Sequence, residues 1–207
     1  MLPIGDEPLP QRKFSLFTFL LFAANIVVFY LQLTRGLAFI ERWALIPNRF
    51  LANPITDLST LVTALFLHGG WIHLMGNMIF LLVFSGNVET RFGHLKFLIF
   101  YLFTGILANV THMVFSPASG IPIVGASGAI AGILGAYLVM FPKNKIKMIM
   151  ILFVFKLPAI LVIGFWFIIQ LFNGIASISE TAQTGGIAYM AHVGGFVVGF
   201  LLTLFLK

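Results

Sequence analysis

The sequence contains no cysteine and few charged residues. Without cysteine, a disulfide, a thiolate nucleophile and a cysteine-based metal site are all excluded. Only 9% of the 207 residues are charged, whereas 60% are hydrophobic, a balance that soluble domains do not show. We therefore predict a membrane protein that crosses the bilayer about six times, with short connections between its spans.

Six hydrophobic segments divide the chain, and we interpret them as one membrane-embedded domain of residues 1–207. The segments cover residues 14–33, 71–88, 96–115, 127–140, 157–173 and 186–206. The stretch 34–68 is too polar to span a membrane and too apolar to lie in water, so we expect an interfacial element there. The predicted fold class is an all-α, polytopic six-helix bundle with a short fourth helix and this outer loop.

The distribution of basic residues predicts the orientation of the bundle. If the N-terminus is inside, the outer segments carry three cations, Arg35, Arg42 and Arg49. The inner segments then carry nine: Arg12, Lys13, Arg91, Lys96, Lys143, Lys145, Lys147, Lys156 and Lys207. The positive-inside rule therefore predicts that both termini are cytoplasmic. Because the cations lie between apolar runs, lipid headgroups rather than nucleic acid are the expected partner of the net charge of +6.

The fourth segment, Ser127–Met140, is too short to cross a bilayer from surface to surface. Its 14 residues reach roughly 21 Å as a helix, whereas the hydrocarbon layer is about 30 Å thick. If Pro142 marks one surface, Ser127 lies on the order of 10 Å below the other. Non-helical backbone at that depth must be buried in protein or line a wet cavity. We therefore predict that Ser127 lies in a water-accessible hollow that opens to the outside.

Polar side chains recur at the outer ends of three segments, where they are suited to acyl-transfer chemistry. His73 and Asn77 lie four residues apart on one helix face, and His192 lies near the start of the sixth segment. A neutral imidazole can take the proton of Ser127. Asn77, His73 and the backbone N–H of Ser127 can donate to an oxyanion. No acidic residue is placed to orient His192, so the pattern predicts a Ser–His dyad.

Glycines provide the expected means of bringing these segments together. Gly195 and Gly199 form a small-xxx-small pair, as do Gly128 and Gly132 in the fourth segment. Two such faces allow helix backbones to approach closely. We expect that contact to hold His192 against the serine.

Three further groups of residues have predicted supporting roles. Gly125, Ala126 and Gly128 surround the serine with little side chain, so we expect them to shape the turn and admit a substrate backbone. His68 is interpreted as a structural anchor between the outer loop and the second span. Glu89 is expected to pair with, or cap, a group at the inner end of that span.

The ordered motifs resemble the rhomboid family of intramembrane serine proteases. They read His68-Gly-Gly-Trp-Ile-His73-Leu-Met-Gly-Asn77, Gly125-Ala-Ser127-Gly128 and Ala191-His192-Val-Gly-Gly195-Phe-Val-Val-Gly199. The resemblance implies that Ser127 is the nucleophile, that His192 is the general base, and that Asn77, His73 and the Ser127 N–H line the oxyanion hole. It also implies single-span membrane proteins as substrates, no metal or organic cofactor, and the plasma membrane of a prokaryote as the location.

One departure from the family pattern and two alternative functions stay open at this point. Some relatives carry an aromatic residue four positions after the serine, stacked on the histidine, but this chain has Ala131. Another group must therefore orient His192. A catalytically silent relative that binds transmembrane segments is the main alternative. A proton-coupled transporter is the other, although no acid lies mid-span to pair with the histidines.

Overall fold

The structure is a computed structural model that describes residues 1–11, 14–179 and 187–206. Its elements, in chain order, are β1 (Leu2–Asp6), α1 (Leu16–Arg35), α2 (Leu37–Trp43), α3 (Pro47–Ala52), α4 (Pro54–Asp57), α5 (Thr60–Thr63), a 3₁₀ turn (Ala64–Phe66), α6 (Trp71–Phe92), α7 (His94–Phe115), α8 (Ser127–Met140), β2 (Lys145–Met150), β3 (Phe153–Pro158), α9 (Ala159–Ser179) and α10 (Tyr189–Leu206).

The predicted helical bundle is confirmed. Within the described ranges, five helices are long and apolar enough to cross a membrane: α1, α6, α7, α9 and α10. The protein is therefore an integral membrane protein that crosses the bilayer several times. The helix ends differ from the predicted segments by a few residues, and α9 continues six residues past the predicted end at 173. Residue 186 and three of the nine inner cations, Arg12, Lys13 and Lys207, lie outside the described residues.

Helix α8 is the centre of the bundle, and nearly its whole surface is buried from Gly128 to Tyr137. Its fourteen residues match the predicted segment 127–140. Helix α7 runs antiparallel to it, because Gly128 lies against Ala108 and Gly132 lies against Thr104. Ala108 precedes the end of α7 by seven residues, or about 10 Å along the helix axis. The start of α8 therefore lies well below that end of the bundle.

Helices α8 and α10 are in direct backbone contact. A Cβ atom on Gly199 would lie 2.1 Å from the carbonyl oxygen of Gly132, and one on Gly195 would lie 2.1 Å from that of Gly128. No real side chain tolerates such distances, so only glycine fits at these crossings. Because each glycine of α10 meets the glycine of α8 at the same spacing, the two helices run parallel, with their first turns side by side.

A three-stranded antiparallel sheet adds an element that the sequence interpretation did not include. β2 pairs with β1 on one side and with β3 on the other. Asp6 at the end of β1 accepts hydrogen bonds from Asn87 Nδ2 at 2.7 Å and from the Tyr137 hydroxyl at 3.0 Å. These bonds fix the sheet against α6 and α8, near the helix ends that lie opposite Ser127.

The outer loop is a chain of short helices, α2 to α5. Arg49 ties it together, because its guanidinium contacts Asp57 at 2.6 Å and donates to the carbonyl oxygen of Ala44 at 2.8 Å. A bridge between Leu45 and Ile123 joins this loop to the segment that leads into α8. The interfacial loop predicted for residues 34–68 is therefore partly helical. It is attached, through this bridge, to the segment that leads from Ile123 to Ser127.

Glu89, near the end of α6, caps the start of α1 and contacts His94. It is 1% exposed, and its carboxylate accepts hydrogen bonds from the backbone N–H groups of Phe17 and Thr18, both at 2.9 Å. The Thr18 hydroxyl donates at 2.7 Å, and His94 Nδ1 lies 2.6 Å away. A carboxylate satisfies the unpaired N–H groups of a first helical turn and interacts favourably with the helix dipole. Glu89 thereby joins α1 to α6.

His68 connects the outer loop to α1 through its backbone. Its N–H donates to Gln32 Oε1 at 3.1 Å, and its carbonyl oxygen accepts from the Gln32 amide. The ring is buried beside Phe29 and His73, at 6.5 and 5.2 Å between ring centroids. Burial, followed by the nearby His73, lowers the pKa of His68 to about 4 from an ordinary 6.5.

This lowered pKa predicts a pH dependence of stability. Between about pH 6.5 and about pH 4, the unfolded chain binds a proton at His68 and the folded protein does not, so the free energy of unfolding falls as the pH falls. We expect a loss of up to about 3 kcal/mol from this group. Denaturant unfolding in micelles at several pH values measures the slope. The variant His68→Phe should show a smaller change of unfolding free energy with pH over this window. An unchanged slope would contradict the lowered pKa of His68.

Candidate active site

Ser127 and His192 meet at the first turns of α8 and α10. The Ser127 Oγ atom lies 2.7 Å from His192 Nε2, which is the distance of a strong hydrogen bond. The glycine crossings described above set this distance, because they place the two helices in parallel contact one turn further along. The arrangement allows the imidazole to accept the serine proton if Nε2 carries no hydrogen.

Gln170 of α9 fixes the other side of the imidazole. Its Oε1 atom lies 2.8 Å from His192 Nδ1, and its side chain is 8% exposed. An amide oxygen can only accept, so Nδ1 carries the proton and Nε2 is left free to accept from Ser127. Trp166, one turn before Gln170, packs beside the His192 ring at 6.0 Å between centroids.

Gln170 is the group that the sequence interpretation missed. The presence of Ala131 indicated that something else must orient the histidine, and Ala131 is fully buried inside the bundle. A polar residue within an apolar span was the available signal, since such residues usually face the interior of a bundle. Because Gln170 lies four residues after Trp166, both side chains are on the same face of α9.

His73 also lies near Ser127, with Gly125 between them. Its Nδ1 atom accepts a hydrogen bond from the Gly69 N–H at 3.2 Å, so Nε2 carries the hydrogen and can donate. A Cβ on Gly125 would lie 2.8 Å from His73 Nε2 and 3.6 Å from Ser127 Oγ. Gly125 also has a φ of +126°, which other residues rarely adopt. Glycine at 125 therefore keeps the space between His73 and the serine open.

The remaining predicted site residues are distributed as follows. Asn77 lines the same cavity, and its Nδ2 donates to the carbonyl oxygen of His73 at 3.0 Å. Ala126 is fully buried behind the serine. Gly128 faces Ala108 of α7 rather than the cavity.

A cavity of about 820 Å³ opens beside Ser127 and is lined by His73, Asn77 and His192. A second cavity of about 570 Å³ continues along the bundle between α6 and α9. The two share Phe80 and Trp166, and the second is lined almost wholly by apolar side chains. Helices α6 and α9 do not pack against each other along their length. Together the cavities form an apolar groove that leads to the serine.

No metal centre is found among the residues that the structure describes, since no three His, Asp or Glu side chains are grouped closely enough to hold an ion. The polar side chains at the site are the hydroxyl of Ser127, the imidazoles of His73 and His192 and the amides of Asn77 and Gln170.

Comparison with known proteins gives the family. The model described as the Rhomboid domain matches residues 56–207. The chain is 29% identical to Rhomboid protein 1, mitochondrial, of Saccharomyces cerevisiae over 191 residues, which cover 87% of this chain and 50% of that protein. It is 32% identical to Rhomboid protease GluP of Bacillus subtilis over 188 residues, which cover 89% of this chain and 33% of that protein.

A chloroplast protein belongs to the same set of relatives. Rhomboid-like protein 11, chloroplastic, of Arabidopsis thaliana is 30% identical over 153 residues, which cover 70% of this chain and 51% of that protein. The chain thus spans about half the length, or less, of these relatives. Because the rhomboid domain covers well over half of the chain and contains the site described above, this protein belongs to the rhomboid family.

Proposed function

We propose that this protein is an intramembrane serine endopeptidase that cleaves single-span membrane proteins in or near their transmembrane segment. The observation that carries the proposal is the hydrogen-bonded series from Ser127 through His192 to Gln170, with distances of 2.7 and 2.8 Å. A hydroxyl, a base and a group that sets the tautomer of the base are the parts that serine nucleophiles use on unrelated folds.

In this mechanism Ser127 Oγ attacks the carbonyl carbon of the scissile peptide bond while His192 Nε2 takes its proton. The negative charge that develops on the carbonyl oxygen is stabilised by His73 Nε2–H, by the backbone N–H of Ser127 and by the Asn77 amide, after a rotation away from the His73 carbonyl oxygen. His192 then donates the proton to the departing amine. A water molecule hydrolyses the resulting acyl-enzyme with His192 again acting as base.

The groove between α6 and α9 is the proposed route for the substrate. A transmembrane helix exposes apolar side chains to lipid and must remain in an apolar environment while it approaches the serine. The apolar walls of the second cavity, between α6 and α9, provide that environment. Phe80 and Trp166 lie where this cavity joins the more polar cavity around Ser127. The substrate helix unwinds there, because an attacking serine needs an extended peptide within about 3–3.5 Å.

We also propose that the termini are cytoplasmic and that Ser127 opens to the outer side. The support is the excess of cations in the inner segments, nine against three. The sheet, with Lys145, Lys147 and Lys156, then lies on the cytoplasmic side. A prokaryotic plasma membrane as the location stays a prediction.

The variant Ser127→Ala tests the proposed activity. We expect it to abolish cleavage of a single-span substrate in liposomes, because the nucleophile is removed without a change in packing. Ser177→Ala is the matched control, since its hydroxyl donates to the Gly174 carbonyl of its own helix, and it should cleave at the normal rate. Undiminished cleavage by Ser127→Ala would refute the proposed activity.

Gln170 has a separate prediction as a positioning residue. The variant Gln170→Leu has a similar volume but lets His192 adopt the wrong tautomer, so kcat should fall about 10²-fold or more while KM stays nearly constant. Gln170→Glu restores an acceptor oxygen and should recover most of kcat. Steady-state kinetics of the three proteins in the same micelles give the values. A parallel loss in both variants, or a change in KM alone, would contradict a positioning role.

A further inference from the structure

The two ends of the three-stranded sheet differ in their chemistry. We call residues 150–154, where β2 turns into β3, the hairpin tip. All five side chains are large, apolar and exposed: Met150 41%, Ile151 85%, Leu152 88%, Phe153 73% and Val154 59%. The other face of the hairpin is covered, because Ile146 and Met148 are buried against the bundle. The side chains of the tip are therefore largely exposed rather than buried against the bundle.

The backbone of the tip is unusual for a turn in water. Met150 pairs with Phe153, so only Ile151 and Leu152 form the connection. Ile151 has a φ of +57°, and it is the only described residue other than glycine with a positive φ. Two-residue hairpin turns in water favour Gly, Asn or Asp at such positions, and a β-branched residue there is an outlier. Apolar side chains at this turn therefore indicate a non-aqueous surrounding.

Lysines lie on the exposed face of the same hairpin, toward its other end. Lys147 and Lys156 are direct partners in the register of β2 and β3, so their side chains lie side by side. Like charges in that position are destabilising unless an anion lies between them. Within the described ranges, no carboxylate forms an ion pair with either lysine. Lys145 is also exposed; it lies two residues before Lys147, on the same face of β2 and further from the tip. This basic cluster is complementary to an anionic surface.

The spacing of the two features matches a membrane boundary. Lys147 and Ile151 are four residues apart, which is about 13 Å along a strand, the distance from the headgroups into the acyl chains. The sheet contacts Asn87 of α6, ten residues from Asn77 of the cavity and about 15 Å along the helix. It therefore lies toward the leaflet opposite the one into which the Ser127 cavity opens.

We propose that the hairpin tip inserts among the acyl chains of that opposite leaflet and that Lys145, Lys147 and Lys156 bind its anionic phospholipid headgroups. Apolar residues below a basic band form the usual pattern of interfacial membrane binding. β3 continues directly into α9 at Ala159, the helix that carries Trp166 and Gln170. The lipid contact thus anchors the base of the helix that borders the substrate groove.

Depth measurement on a single introduced cysteine tests this proposal, and the chain has no other cysteine. The Leu152→Cys protein is labelled with an environment-sensitive fluorophore and placed, one copy per disc, in nanodiscs of phosphatidylcholine with 30% phosphatidylglycerol. Lys143→Cys, exposed in the turn before β2, is the matched control. We expect doxyl lipids to quench the label at 152 at least threefold more than the label at 143. Aqueous iodide should show the reverse order.

Several outcomes would overturn lipid insertion. Equal iodide quenching at 152 and 143 in single-copy discs would place the tip in water. Protection of 152 only at high protein density would assign the tip to a second copy of the chain, and protection only after addition of a single-span substrate would assign it to the substrate.

The lysines are tested with the Lys147→Gln/Lys156→Gln variant in the Leu152→Cys background. In the parent, doxyl quenching should rise as phosphatidylglycerol increases from 0 to 30%, and in the variant that rise should be lost. An equal response in both proteins would refute headgroup binding by these lysines.

Discussion

Replacement of His192 by alanine is expected to lower kcat by at least about 10³-fold with little change in KM. The imidazole lies 2.7 Å from Ser127 Oγ and is the base nearest the hydroxyl. Without it, the serine must lose its proton to water, which is a far weaker base at neutral pH. Cleavage of a single-span substrate in liposomes, followed over time by gel, measures the rate.

Two companion variants make this result specific. His94→Ala removes a histidine at the far end of the bundle, where the ring contacts Glu89, and it should retain nearly full activity. The double variant Ser127→Ala/His192→Ala should be no slower than either single variant, because residues that act as one unit are not additive. Two losses that multiply would contradict the proposed pairing of Ser127 with His192.

The second large effect is expected from Gly199→Ala, far from the reacting atoms. The added Cβ would lie 2.1 Å from the carbonyl oxygen of Gly132, and that atom belongs to the backbone of the central helix. Neither helix can relax without separating, so we expect a loss of about 3 kcal/mol or more in the free energy of unfolding. Because the first turns of α8 and α10 separate with it, the distance from His192 to Ser127 increases and cleavage is lost as well.

Gly164→Ala is the matched control for this substitution. It lies in α9, and a Cβ there would meet nothing within 4 Å. Alanine favours helix over glycine by about 1 kcal/mol, so Gly164→Ala should be neutral or stabilising. Thermal unfolding in micelles compares the three proteins. Equal stability of Gly199→Ala and Gly164→Ala would show that the helix crossing is looser than the structure indicates.

The sequence predicts the bundle because its strongest signals are local. Long apolar runs define the helices, and the short run before Pro142 predicts that α8 begins inside the membrane. Glycine spacing indicates a helix contact in the same way, since Gly195 and Gly199 repeat at the spacing of one helix face. These features need no information about which parts of the chain meet.

The sheet and Gln170 show where sequence interpretation ends. β1 pairs with β2 across about 140 residues of chain, and no local pattern specifies that partner. A signal for β2 alone was present, because Lys145, Ile146, Lys147 and Met148 alternate with the period of a strand. Gln170 was visible as a polar residue in a span, but its contact with His192 depends on how α9 and α10 pack. Glu89 was expected to pair or cap, yet its partner, the start of α1, came only from the structure.

The proposed function requires that His192 make Ser127 a nucleophile inside the membrane domain. The most direct measurement is reaction of the folded protein in micelles with a fluorophosphonate, followed by mass spectrometry of the labelled peptide. We predict a single adduct, on Ser127, that is lost in His192→Ala while that variant keeps its thermal unfolding transition. A folded wild-type protein that gains no adduct, or gains one on another residue, would contradict the claim and favour a catalytically silent rhomboid that binds transmembrane segments.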